Sequence, residues 1–333
     1  MSFWHNKEVL ITGGAGFIGS NLAEDLVEEG ARLTLVDNLE RGKVEYIEPI
    51  LGKVNFIVED LRSEEFCNKI CEGKDIVIHL ASKVGGIGYY TSKPYQVINT
   101  NTQIDSNVLN AVIANGVNYY CYASSAHVYP IELQGAADSP LILEGEAYPA
   151  NPELSYGWAK LVAEKQIEYA CVENPNLNVA IARYIGIYGK NQDYGLDTGS
   201  VIPVFCNRAI TYPDVNFNVW GTGQETRSYC YIQDAVDGTK LMIENLLNKQ
   251  MVGPYNVGQQ SRVTIEDIAH MVIGTSGKDI PIEFDKAKET LIWGQWCDCS
   301  KIKDEIGWEA TTPLAEGLLS VYSDVERRLK NEK

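Results

Sequence analysis

The chain has 333 residues, 45% hydrophobic and 22% charged, enough apolar material for one large domain or two unequal lobes and unlike a disordered or repeat-built protein. Its 28 basic against 45 acidic side chains leave a formal net charge of −17, a field that repels a phosphate backbone and excludes nucleic acid as the natural partner. Eight cysteines are scattered through it, and neither Cys67 with Cys71 nor Cys297 with Cys299 has a second Cys/His pair at zinc spacing, so the reading is reduced, buried thiols and no metal.

Met1 to Lys7 lead straight into an apolar strand without a basic leader, and no uncharged apolar run reaches the ~18 residues of a membrane span. The expectation is a cytoplasmic protein with no membrane partner. Strand-like runs at Glu8–Thr12, Arg32–Val36, Val54–Val58, Asp75–Leu80 and Tyr119–Ala123 alternate with stretches of helical period such as Ser20–Glu29 and Thr102–Asn115. That alternation predicts an α/β protein with a Rossmann-type, doubly wound parallel sheet covered on both faces. Val179–Ile185 and Gly253–Val257 extend the sheet. Lys190–Ser200 reads as a loop, followed by a helix around Val204–Ile210, a short strand Asn216–Trp220 and a helix Asp234–Asn248. Residues 1–188 and 228–257 are therefore expected to form the sheet domain, and 189–227 with 258–333 a smaller C-terminal lobe for the substrate.

Between the first strand and the first helix runs Thr12-Gly13-Gly14-Ala15-Gly16-Phe17-Ile18-Gly19. Gly13, Gly16 and Gly19 let the backbone approach a pyrophosphate, and the helix that follows presents free N–H groups and a positive dipole end. Asp37 closes the second strand, where an acid binds a ribose 2′-hydroxyl and repels a 2′-phosphate. The cofactor expected is NAD rather than NADP, with Arg41 nearby as the residue that could favour the other. Asp60 and Leu61, after the third strand, could hold the adenine edge.

Tyr156 and Lys160 lie four apart in a helical segment, so both side chains leave on one face. A tyrosine of ordinary pKa near 10 is a poor base at neutral pH, but a neighbouring ammonium and an oxidised nicotinamide both favour the phenolate. Ser124 or Ser125, ending the fifth strand, could hold a substrate oxygen beside Tyr156. His127 could act as an acid or base, since imidazole titrates near working pH, whereas His79 ends an apolar strand and reads as structural. Arg227 is the candidate for a diphosphate, because its guanidinium fork matches the oxygens. Trp293, Trp296 and Trp308 read as packing.

The glycine motif, Ser124-Ser125 and Tyr156-x-x-x-Lys160 together resemble the extended short-chain dehydrogenase/reductase superfamily, in particular its sugar-nucleotide epimerases and dehydratases. Within it, Lys83-Val84-Gly85-Gly86-Ile87, Ser125 to Pro130 and Val201-Ile202-Pro203 look most like the branch of GDP-mannose 3,5-epimerase and GDP-fucose synthase. The resemblance implies Ser125, Tyr156 and Lys160 as catalytic groups with His127 beside them. It implies Phe17, Ile18, Asn38, Leu80, Ala81, Lys83, Asn99 and Tyr184 around NAD, in addition to the glycines, Asp37, Asp60, Leu61 and the Tyr–Lys pair. Gly85, Gly86, Ser125, Val201 and Arg227 would meet a nucleoside-diphosphate sugar. Relatives commonly dimerise through two helices, one bearing the Tyr–Lys pair, so a homodimer using Trp158 and Val162 is expected. Departures are informative: His127 replaces a Cys of the 3,5-epimerising branch, Ser200 stands where that branch has a second acid/base, and Ala126 with His127 replaces the acidic pair of the dehydratases. Gly186 and Gln295 stand where the family often has Asn and Arg. Inversion at C4 survives all these changes.

Overall fold

The computed structural model describes residues 2–85, 87–248, 250–288 and 292–331. Alternation of apolar side chains organises the central layer. In Glu8–Thr12 (β1), Val9 and Ile11 enter one core and Leu10 the other, all wholly buried; a strand apolar on both sides is stable only between two helical layers. Arg32–Asp37 (β2), Asn55–Val58 (β3), Ile76–His79 (β4), Tyr119–Ser125 (β5), Asn178–Tyr184 (β6) and Met251–Val257 (β7) complete the sheet. Their order is β3-β2-β1-β4-β5-β6-β7, with every neighbouring pair parallel. The chain winds outward from β1 to β3, then restarts at β4 on the other side, so a crevice opens at the carboxyl ends of β1 and β4.

Phe17–Glu28 (α1), Glu64–Cys71 (α2), Ile87–Ser92 (α3), Pro94–Ala114 (α4), Ser155–Glu173 (α5), Val201–Thr211 (α6) and Ile232–Asn245 (α7) follow in chain order. Leu22 of α1 and Val236 of α7 bury one sheet face; Cys67 of α2, Val108 of α4 and Ile167 of α5 bury the other. A third core gathers Ile202 and Phe205 of α6 with Ile268 of the helix Ile265–Ser276 (α8) and Val321 of the helix Leu314–Asn331. Among the described residues no helix is long and apolar enough to cross a membrane, and no group of three or more His, Cys, Asp or Glu side chains could hold a metal ion.

The fold class read from the sequence holds, with shifted ends. β5 runs to Ser125 because β6 pairs with it that far, Ser125 opposite Tyr184. α4 starts at Pro94, whose fixed φ and missing N–H suit the first helical position. α7 stops at Asn245, and Leu246–Asn248 tightens into a 3-10 turn.

Candidate active site

β1 ends in a turn where Gly13 takes φ 69°, and the N–H groups of Gly13 and Gly14 bond the Val36 carbonyl of β2 at 2.7 and 3.1 Å. A Cβ on Gly13 would lie 2.9 Å from the Ala81 nitrogen, and one on Gly19 would run into the Gly13 carbonyl oxygen. The glycines thus bring the turn, the Leu80–Ala81 backbone and the start of α1 into contact, which no side chain there would allow. Gly16 caps α1 without a side-chain bond, leaving the first-turn N–H groups of Phe17, Ile18 and Gly19 for an external acceptor. Asp37 is buried and accepts Ala15 N–H at 3.1 Å and Leu39 N–H at 2.9 Å; burial lifts its pKa and the two bonds pull it back. Asn38 is exposed and accepts Glu40 N–H at 3.0 Å, the Asp60 carboxyl is held low by Arg62, and Leu61 next to it in sequence is buried. Arg41 turns to Asp193 at 2.9 Å and the Thr198 carbonyl at 3.3 Å, so its charge is spent away from Asp37. Lys83 pairs with Glu40. The close-approach glycines, the open helix turn and a carboxylate at the end of β2 fit a dinucleotide pyrophosphate and ribose.

On α5 the pair behaves as the spacing predicts geometrically. The Tyr156 hydroxyl stands beside the side chains of Ser125 and Ser82, which act to lower its pKa, and the buried Lys160 Nζ lies 5.8 Å from the Tyr156 ring centre and 4.7 Å from that of Tyr122. Beneath them is a closed buried network. Thr12 Oγ1 meets His79 Nδ1 at 2.6 Å, His79 Nε2 meets Asp105 at 3.0 Å, and Tyr122 donates to Asp105 at 2.8 Å. The Asp105 carboxylate can only accept, so the neutral ring carries its proton on Nε2 and its Nδ1 accepts from the Thr12 hydroxyl, whose oxygen also accepts Ala81 N–H. Burial pulls His79 down, against the pull of Asp105, so the ring is neutral. Burial would lift Asp105, but Lys160 and the two donors outweigh it and hold it below the usual range. Lys160 is itself lowered by burial, against Asp105 and Glu164.

In the protein alone burial pushes Tyr156 up, the Asp105 charge adds to that, and the nearby Ser82 and Ser125 side chains only partly offset it. The Lys160 charge is shared with Asp105 and Glu164 rather than directed at the phenol alone.

The structure also separates neighbours that the sequence left equivalent. Ser125 faces Tyr156 and accepts His127 N–H at 3.2 Å, whereas Ser124 donates to Glu164 at 2.5 Å, which is forked to Arg183 at 2.9 and 2.6 Å. Asn99 is exposed on α4; the buried amide is Asn101, which takes Ser82 Oγ at 2.8 Å and Lys83 N–H at 2.6 Å and so holds the loop that reaches Tyr156. Tyr184 ends β6, but its hydroxyl is committed to Thr239 at 2.6 Å. Gly85 is held by the Tyr90 hydroxyl through its backbone, and the Tyr90 ring stacks on Tyr156 at 5.4 Å; Gly86 lies outside the described residues. Val201 opens α6 against the third core. His127 stands edge-on to Tyr156 at 5.8 Å, and burial together with the Arg227 charge pushes it down to about 4. Arg227 donates to the Thr226 and Ile292 carbonyls at 2.8 Å each. Trp308 and Trp296 donate to the carbonyls of Asp234 at 3.0 Å and Ser139 at 2.6 Å, while Trp293 is partly exposed.

Sequence reasoning missed Ser82, Asn101, Asp105 and Glu153. A signal for two of them was present: Asn101 and Asp105 are four apart on the face of α4 that also carries Ile104, Val108 and Val112, and polar residues at that spacing on an apolar face mark a buried network.

The profile of the NAD dependent epimerase/dehydratase family matches residues 9–258. GDP-mannose 3,5-epimerase of Arabidopsis thaliana is 31% identical over 333 residues, covering 99% of this chain and 86% of its own length. A UDP-N-acetyl-alpha-D-glucosaminuronate decarboxylase of Bacillus cytotoxicus is 31% identical over 286 residues, covering 84% of each. Among solved structures, the UDP-glucose 4-epimerase of Thermotoga maritima with UDP-glucose superposes with a TM-score of 0.84 at 25% identity, covering 97% of this chain and 99% of that one. A UDP-galactose 4-epimerase superposes with a TM-score of 0.80 at 27% identity, over 97% and 99%.

Proposed function

The chain belongs to the NAD-dependent epimerase/dehydratase family, and on that premise we propose that it epimerises a nucleoside-diphosphate sugar through a transient 4-keto intermediate. The observation that carries the reading is a phenol set beside the hydroxyls of Ser125 and Ser82, with the buried ammonium of Lys160 one helical turn further along α5. Gly13, Gly16 and Gly19, the first turn of α1 and Asp37 would hold NAD, which when bound supplies reversible two-electron oxidation at C4. Tyr156 takes the proton of the 4-hydroxyl, and Ser125 fixes the oxygen that loses it. Burial favours the neutral phenol, and a bound oxidised nicotinamide would supply the positive charge that favours its ionisation. Lys160 and Asp105 keep the floor of the site charged but balanced. Arg227 meets the diphosphate.

Inversion at C4 asks nothing further of the chain than room for the ketone to turn. Inversion at C3 or C5 needs a group that removes a carbon-bound proton, and His127, neutral at working pH because its pKa is pushed to about 4, could only accept one. Ser200 stands exposed at the start of α6. We further infer that two copies pair through the outer face of α5, which exposes Trp158, Val162 and Tyr169, and that residues 189–227 and 258–333 form the substrate lobe.

The deciding experiment incubates the protein with GDP-, UDP- and dTDP-sugars in heavy water and records product mass and stereochemistry. Deuterium at carbon supports C3/C5 inversion, and an unlabelled inverted product supports C4. A stoichiometric change in nicotinamide absorbance would make the enzyme a net 4-dehydrogenase or 4-ketoreductase instead. Cofactor binding without turnover of any sugar would leave a sensor or scaffold.

A further inference from the structure

Both carboxylate oxygens of Glu153 are buried and meet no hydrogen-bond donor among the described residues, and the hydroxyl of Ser155 is in the same condition. Glu153 directly follows Pro152, which bridges to Pro130, and Gly157 packs on the His127 carbonyl. The acid therefore stands beside the His127 turn and three residues ahead of Tyr156. The cation that acts on it is Arg227. Among the described residues no ion pair closes between them, since Arg227 gives its N–H groups to the carbonyls of Thr226, Ile292 and Trp293. A buried carboxylate without donors is costly to fold, because it has lost water and gained nothing in exchange. Such a group is retained where a ligand brings the donors.

What the ligand must bring follows from charge. A diphosphate offers only acceptors and would be repelled by Glu153, so it belongs with Arg227. Neighbouring hydroxyl groups on a sugar ring offer two donors at a spacing that the two oxygens of one carboxylate can accept together. Resting on the reading of the site as a sugar-nucleotide pocket, we propose that Glu153 is a specificity-determining residue whose carboxylate accepts a pair of adjacent sugar hydroxyl groups beside Tyr156, while Arg227 takes the diphosphate. The pocket then reads the two halves of its ligand with opposite charges, and a nucleoside diphosphate lacking the sugar leaves Glu153 unsatisfied.

The test measures equilibrium binding by calorimetry to the NAD-loaded protein, using the best nucleoside-diphosphate sugar of the panel and its free nucleoside diphosphate. Glu153→Ala is expected to weaken the intact sugar nucleotide by about thirtyfold and to leave the free nucleoside diphosphate within twofold. Glu153→Gln, which keeps one acceptor, should recover part of that loss. Without ligand, Glu153→Gln should melt a few degrees higher than the wild type, because the unmatched charge is gone. Equal weakening of both ligands, or sugar-nucleotide affinity within twofold in Glu153→Ala, overturns the proposal while the epimerase reading stands. A wild-type protein that binds no sugar nucleotide overturns both.

Discussion

The two halves of the crevice are built by opposite means. At the proposed dinucleotide end the backbone does the work: Gly13 and Gly19 allow contacts that a Cβ would block, and the first-turn N–H groups of α1 are open to an anion. At the proposed sugar end side chains do it, and they come from α5, the turn after β5 and the short strand at Thr226–Arg227. A backbone site is specified by a few adjacent residues and tolerates little change. A side-chain site depends on partners far apart in sequence, so its chemistry can be altered one residue at a time. That division suits a chain whose relatives are named as 3,5-epimerase, 4-epimerase and decarboxylase.

The buried charges repeat the contrast. Thr12, His79, Asp105 and Tyr122 close a network around Lys160 in which each polar group has a partner. Glu153 and Ser155 have none among the described residues. A satisfied network fixes a structure, whereas unsatisfied groups at a crevice wait for a ligand.

Tyr156→Phe should break the sugar end alone: turnover falls by about a thousandfold, while NAD binding, followed by fluorescence titration, stays near wild type. Loss of both would mean that the two ends are not separable. Ser125→Ala should lower kcat by about a hundredfold, with little change in melting temperature. Its neighbour sharpens the point, since Ser124→Ala removes a bond to the Glu164–Arg183 fork and should cost about 1–3 kcal/mol of stability while kcat stays within a few fold. Equal kinetic losses in the two serine variants would contradict the placement of their side chains. Gly19→Ala acts at the other end, driving a methyl group into the Gly13 carbonyl; NAD affinity should drop by about tenfold, roughly 1.4 kcal/mol, and kcat at saturating NAD should change less.

The smallest effect concerns pH. His127 is held at about 4 against an ordinary 6.5, so below 6.5 the unfolded chain takes up a proton that the folded chain refuses. Stability should fall as pH drops from about 6.5 toward about 4, and His127→Gln should flatten part of that slope in thermal melts. Buried His79 is shifted in the same direction and contributes to the slope that remains. An unchanged slope in His127→Gln would mean that the imidazole is open to water.

Much of the candidate site was legible because its signals are local. The glycine spacing after an apolar strand, the acid ending the second strand and the four-residue step from Tyr156 to Lys160 each follow from backbone geometry over a few residues. The choice between Ser124 and Ser125 was not, since both end the same strand and only β6, α5 and the loop at Ser82 distinguish their faces. Asn99 and Asn101 pose the same problem: two residues of helix rotate one amide to solvent and the other into the core. Glu153 was illegible for a further reason. Nothing in a stretch reading Asn151-Pro152-Glu153-Leu154 tells that Arg227, distant in sequence, will face that acid without pairing with it.

The sequence by itself determined the parallel sheet, the close-approach glycine turn and the shared face of Tyr156 and Lys160, because periodicity, glycine geometry and helical pitch act over short range. Only the tertiary structure decided which hydroxyl and which amide turn inward, that Asp105 lies beside Lys160, and that Tyr156 is pushed up by burial. Those outcomes depend on burial and on charges brought together from separate strands and helices, and desolvation has no counterpart in a linear reading of the chain.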